Sequence, residues 1–148
     1  MIPDIDEDTR SRYRHGACRA LAIALHDATS WPLVVVSDFD ADDDLTDDDR
    51  VSGQIAPARM SPAALHALVL CPNGSLIDID GEHDPADLVD AYATEADEGM
   101  AVLRFAERAD LLEEHEGTSA AASTVEEAAP HARAVVAHLR ETSDGDRR

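Results

Sequence analysis

The sequence predicts an α+β fold in which a helix near the N-terminus packs on an antiparallel β-sheet, with further helices toward the C-terminus. An apolar stripe at helical spacing runs through residues 16–30, and two apolar runs flank a turn sequence within residues 65–81. The length of 148 residues suits one domain with a substantial core. We expect that domain to span residues 11–141, between a flexible acidic N-terminus (1–10) and a disordered tail (142–148).

The first predicted helix places a cysteine in its first turn. Its apolar stripe consists of Cys18, Leu21, Ala22 and Leu25, at positions i, i+3, i+4 and i+7. The free N–H groups and the positive dipole end of a helix N-terminus favour a thiolate, which would make Cys18 reactive. The alternative is a buried structural thiol, since free cysteine is among the most buried residue types.

A buried strand and an acidic loop follow this helix. Trp31-Pro32 ends the helix, and the β-branched run 33–36 predicts a central strand. The predicted acidic loop spans residues 37–50, and a short strand is expected at 51–55. Four alternate aspartates of the loop have the spacing of early calcium ligands, but the glycine and glutamate of a calcium loop are missing, so we expect a solvated loop. These aspartates are Asp38, Asp40, Asp42 and Asp44.

The sequence 65–81 predicts a β-hairpin closed by Pro72-Asn73-Gly74. Proline and asparagine suit the corners of a type I turn and glycine suits the left-handed position after it, which gives a three-residue loop. The resulting register places Leu68 opposite Asp78 and His66 opposite Asp80, with all four side chains on one face. A two-residue loop would turn both aspartates to the other face.

Helices and one strand are predicted in the remaining chain. Asp84 and Pro85 predict the start of a helix that reaches about residue 94. Residues 100–105 predict a strand. A last helix is expected to start near Pro130 and to end before the tail.

The charge of the chain limits its partners. There are 32 acidic residues and 12 basic ones, all arginine, which gives a formal charge of −20. This charge argues against direct binding of nucleic acid and of anionic membranes. It suits a halophilic-type surface, or a protein that mimics DNA and binds a basic protein partner. No export signal or membrane span is evident, and two distant cysteines indicate a reducing cytoplasm.

The residues Cys18, His66 and Asp78 have the types and the order of a nucleophile, a base and an orienting carboxylate. The imidazole takes the thiol proton, and the carboxylate fixes the ring. Asp80 is the rival orienter, because the predicted register puts it directly opposite His66. We predict neither a cofactor nor a metal. Zinc bound by the three residues is the alternative, but no fourth ligand is evident.

The chain resembles the papain-like and transglutaminase-like cysteine enzymes, a superfamily that includes the arylamine acetyltransferases. Gly16-x-Cys18-x-x-x-Ala22 is similar to the transglutaminase-type nucleophile motif, and His66 and Asp78 resemble the residues of the His and Asp strands. The resemblance implies a Cys-His-Asp triad that hydrolyses or transfers the acyl group of a peptide, protein or small amide or ester substrate. Two departures are Leu68, where a Trp is frequent, and the lack of a Gln just before the nucleophile.

Two further functions remain as alternatives. One is an acidic binding protein without activity, and the other is a catalytically degenerate member of the same superfamily. The remaining cysteine, Cys71, is predicted to be a core thiol on the face opposite His66. Five further histidines show no metal-ligand spacing and are predicted at the surface or at helix ends. They are His26, His83, His115, His131 and His138.

Overall fold

The computed structural model describes residues 5–15, 18–38, 46–56, 66–92, 101–109, 111–112 and 125–146. The helices within these ranges are α1 (Glu7–His15), α2 (Cys18–Thr29), α3 (Asp47–Val51), α4 (Pro85–Tyr92) and α5 (Val125–Asp146). The strands are β1 (Leu33–Asp38), β2 (Ile55–Ala56), β3 (His66–Leu70), β4 (Leu76–Asp78), β5 (Gly81–His83) and β6 (Ala101–Ala106). The mixture of helices with a mainly antiparallel sheet confirms the predicted α+β class.

The six strands form one sheet in the order β2-β6-β1-β3-β4-β5. All neighbouring pairs are antiparallel except β2 with β6, which is parallel. The strand β1 lies between β6 and β3, as its continuous apolar sequence predicts for a central strand.

Both faces of the sheet are covered by helices. On the first face, Val35 and Val69 belong to a core cluster with the buried side of α2 and with α5. On the second face, Val34 and Leu68 pack with Leu88 of α4. Because successive strand residues point to opposite faces, a run such as that of β1 is buried on both sides.

The hairpin of β3 and β4 has the predicted loop and register. Leu70 pairs with Leu76, the N–H of Cys71 donates to the carbonyl of Ser75 (2.8 Å), and Gly74 has φ of +93°. The loop therefore has three residues, and His66 and Asp78 lie on the same face. One expectation is wrong: β4 ends at Asp78, so Asp80 lies in a turn and not opposite His66.

A second hairpin, which the sequence analysis did not predict, follows at once. The strand β5 pairs with β4, with Asp78 opposite Gly81 (φ +110°) and Leu76 opposite His83. The predicted helix start is confirmed, since the Asp84 carboxylate accepts a hydrogen bond from the N–H of Ala86 (2.8 Å).

The N-terminal segment is ordered earlier than predicted. Asp6 caps α1 by accepting a hydrogen bond from the N–H of Thr9 (2.8 Å). Ile5 and Tyr13 belong to the core, and the buried Arg10 donates to the carbonyl of Ile5 (2.7 Å). These contacts replace the flexible segment expected over residues 1–10, of which 1–4 lie outside the described residues.

Three other boundaries also differ from the predictions. The proposed acidic loop 37–50 is shorter, because Ser37 and Asp38 continue β1 and Asp47–Val51 is helical. The strand expected at 51–55 is only Ile55–Ala56. The helix α5 starts five residues before Pro130 and continues to Asp146, where a disordered tail was expected from residue 142.

Candidate active site

Cys18 is the first residue of α2 and is 5% exposed. Burial raises the pKa of its thiol, but the interaction with His66 and the N–H of Ala67 lower it, and the net pKa lies below the ordinary value. The Ala67 N–H is available because β4 stops at Asp78, one residue short of the position that would pair with Ala67 in this register. Gly16, which the nucleophile motif includes, lies outside the described residues.

His66 is the first residue of β3, and its ring is 1% exposed. Its Nε2 lies 2.9 Å from Oδ2 of Asp78. The ring stacks on Tyr92 of α4, with centroids 5.4 Å apart and an interplanar angle of 14°. Its other nitrogen, Nδ1, makes no hydrogen bond to any described residue. The ring is thus held from two sides, and Nδ1 is left for exchange of a proton with the thiol.

The buried carboxylate of Asp78 has three partners among the residues that the structure describes. Besides His66 on Oδ2, its Oδ1 lies 2.7 Å from Nε2 of His83 and accepts a hydrogen bond from the N–H of Asp80 (2.9 Å). Burial raises the pKa of this carboxyl group, but the two histidines more than offset burial and hold the pKa well below its usual range. Asp78 is therefore ionised at neutral pH.

Asp78, and not Asp80, is the carboxylate that contacts His66. Asp80 contributes its backbone N–H to Asp78, and its side-chain charge helps to raise the pKa of His83. Asp80, the rival orienter of the sequence analysis, therefore acts on Asp78 and His83 and not on His66, because the chain turns after Asp78.

His83 is a site residue that the sequence analysis missed, because it predicted only a position at the surface or at a helix end. It lies in β5, next to Leu76 in the register, on the face that carries Asp78. Asp80-Gly81 was the available signal, since Asp-Gly after an apolar strand is a strong hairpin sequence. A second hairpin there folds the chain back and brings His83 to the carboxylate.

The electrostatics favour a thiolate–imidazolium pair. Burial lowers the pKa of His66, but the hydrogen bond with Asp78 and the interaction with Cys18 outweigh burial and raise the pKa to about 9. Because the pKa of Cys18 is shifted downward at the same time, the proton is favoured on the ring. This arrangement can supply an activated sulfur nucleophile and a proton donor.

The other sequence candidates have structural contacts. Cys71 is half-buried and packs against the core cluster of the first face, away from His66. Nδ1 of His26 lies 2.7 Å from the carbonyl of Trp31, and His131 packs against Tyr13. Asp40, Asp42 and Asp44, which have calcium-like spacing, lie outside the described residues, as does His115. In the described ranges, no group of three His, Cys, Asp or Glu residues could hold a metal ion.

No family model matches the sequence, and no curated protein or solved structure matches it at a significant level. Of the helices that the structure describes, none is both long and apolar enough to cross a membrane.

Proposed function

We propose that this protein is a cysteine-nucleophile enzyme that acts on an amide, peptide or ester bond. The observation that carries the proposal is the buried hydrogen bond between His66 and Asp78, together with the coupled shifts that lower the pKa of the Cys18 thiol and raise the pKa of the His66 imidazole. Three different elements supply these residues, and the resemblance of the sequence motifs to those of papain-like and transglutaminase-like enzymes supports the same assignment.

The proposed reaction has two halves. In the first, Sγ of Cys18 attacks the carbonyl carbon, and the His66 imidazolium gives its proton to the departing amine or alcohol, which leaves a thioester. In the second, water or an acceptor amine attacks the thioester while neutral His66 takes its proton, and the thiolate is released. Asp78 holds the ring through both halves and stabilises its cationic form.

The oxyanion requires hydrogen-bond donors beside the sulfur. The backbone N–H of Cys18 is the first one we propose. The N–H of Ala67, which acts on the Cys18 thiol, is the second, and it takes the place of the glutamine that this chain lacks before the nucleophile. The proposed substrate is a peptide, a protein or a small acyl or amide compound, and no cofactor takes part. The two free cysteines fit the reducing conditions of the cytoplasm.

Labelling with a thiol-reactive acyl probe tests the function. We expect one acyl group to be transferred to Cys18 in the native protein and to be released over time by water or by an added amine. Cys71→Ala is the matched control, since it removes the other thiol and should label normally. Cys18→Ala should not label. An unlabelled native protein, or labelling that Cys71→Ala abolishes, contradicts the proposal.

A second candidate is an acidic binding module on the same fold, and the burial of the thiol favours it. Only 5% of Cys18 is exposed, and such a site can be structural. This candidate predicts an inert thiol and binding of a basic protein that weakens steeply with salt. Titration with a basic protein at low and high ionic strength, for wild type and Cys18→Ala, separates the two. Binding that is equal in both proteins, together with an unreactive thiol, supports the binding module.

A further inference from the structure

Asp78 divides its two carboxylate oxygens between two histidines with different access to solvent. Oδ2 serves His66, whose side chain is 1% exposed, and Oδ1 serves His83, whose side chain is 29% exposed. The contacts are 2.9 and 2.7 Å. The buried ring and the solvent-facing ring therefore share one negative charge.

The groups that act on each ring are few. Among the described residues, Asp78 and Asp80 raise the pKa of His83, and the His66 cation lowers it. On His66 the charged groups are Asp78 and Cys18, and the Tyr92 ring stacks on it. Since an interaction between two charges is reciprocal, a proton on His83 also disfavours a proton on His66.

We propose that His83 is a positioning residue of this site, which holds Oδ1 of Asp78 so that Oδ2 faces His66 and which, when protonated from solvent, competes with His66 for the carboxylate charge. The inference deepens the function proposed above and rests on it for its catalytic meaning, but the geometry and the titration can be tested without any substrate. Its consequence is that a change in solvent pH, by protonating or deprotonating His83, changes the charge that acts on the buried thiol–imidazole pair.

The test is an NMR titration of the histidine side chains in the full chain. His66→Gln is the informative variant, because glutamine can still donate to Oδ2 but cannot carry a charge. Since His66 has a pKa of about 9, its ring is already a cation when His83 titrates. We therefore expect the pKa of His83 to rise by about 0.5 or more in this variant, because the competing cation is gone. Glu82→Gln is the matched control, because Glu82 is an exposed neighbour in the same strand, and the pKa of His83 should not rise there.

Two outcomes overturn the proposal: a pKa of His83 that is unchanged or lower in His66→Gln, or an equal rise in Glu82→Gln. If His66→Gln does not fold, the wild type decides. There, His66 must report two titration steps, one of them at the midpoint of His83, and a single step contradicts the proposal. Repeating the titration in Cys18→Ala removes the contribution of the thiol. An inert Cys18 would refute the enzyme but would leave this coupling intact, so the two failures are distinguishable.

Discussion

At the scale of the residue, the ionised carboxylate of Asp78 controls the state of the buried His66 ring. Its charge and its hydrogen bond raise the pKa of His66, and its own pKa is lowered by both histidines. A buried charge that loses its partner is strongly destabilising, so the contacts of Asp78 should matter for stability as well as for reactivity.

We predict that Asp78→Asn lowers the free energy of unfolding at pH 7 by about 3 kcal/mol, because the buried imidazolium loses its counter-charge. The pKa of Asp78 is lower in the folded than in the unfolded state. Its contribution is therefore complete above the ordinary value of 3.8 and is lost as the pH falls below that value toward the folded pKa. The difference between wild type and variant should shrink over that acid range.

Urea unfolding at several pH values measures this difference. Asp80→Asn is the control, because Asp80 holds Asp78 through its backbone and not through its side chain. A larger loss of stability in Asp80→Asn than in Asp78→Asn would contradict the assignment.

The sequence alone predicts that Cys18, His66 and Asp78 are candidates, because residue types and hairpin register are local information. The sequence does not decide whether Asp78 or Asp80 contacts His66, since the choice depends on where β4 ends. The contact of His83 with Asp78 depends on a second hairpin, and the burial of Ile5 and Tyr13 depends on packing with distant elements. Such tertiary contacts are not encoded in a local pattern.

At the scale of the element, two glycines occupy turns with positive φ for different reasons. Gly74 closes the β3–β4 loop with φ of +93°, and no described atom lies within 4 Å of the place where a Cβ would be. Gly53 has φ of +87°, and a Cβ there would lie 2.6 Å from the backbone N of Ala86 at the start of α4. Position 74 needs only a residue that tolerates positive φ. Position 53 needs that and also the absence of a side chain, because a Cβ would overlap with α4.

We predict that Gly74→Ala lowers the free energy of unfolding by about 1 kcal/mol, which is the cost of a left-handed alanine. Gly53→Ala should lower it by about 2–4 kcal/mol, because overlap with α4 adds to the same backbone cost. Chemical denaturation of both variants checks the difference. Equal losses would mean that the close approach of Gly53 to α4 is absent in solution.

At the scale of the whole molecule, the formal charge of −20 affects the stability of the folded state. Carboxylates that repel one another destabilise a compact chain, and at physiological salt the repulsion is screened beyond about 8 Å. The ion pair of Asp27 with Arg108 links α2 to the segment after β6, with both nitrogen–oxygen distances at 2.9 Å.

We predict that the melting temperature rises between low and molar salt, because screening relieves the repulsion. Thermal unfolding followed by circular dichroism over that range is the measurement. Arg108→Gln serves as a comparison, since it removes one cation and should melt lower at low salt, with a smaller difference at high salt. A melting temperature that does not depend on salt would contradict the halophilic-type surface.

The central claim is that Cys18 is an activated thiol, and its alkylation rate tests that claim most directly. Mass spectrometry can follow the alkylation of Cys18 and Cys71 by iodoacetamide in the same protein at pH 6 to 7. We predict that Cys18 reacts faster than the more exposed Cys71, since the His66 imidazolium favours the thiolate of Cys18. His66→Ala should remove most of this advantage, and Asp78→Asn should remove less. A Cys18 that reacts more slowly than Cys71 in the folded protein, and at the same rate in His66→Ala, would contradict the account.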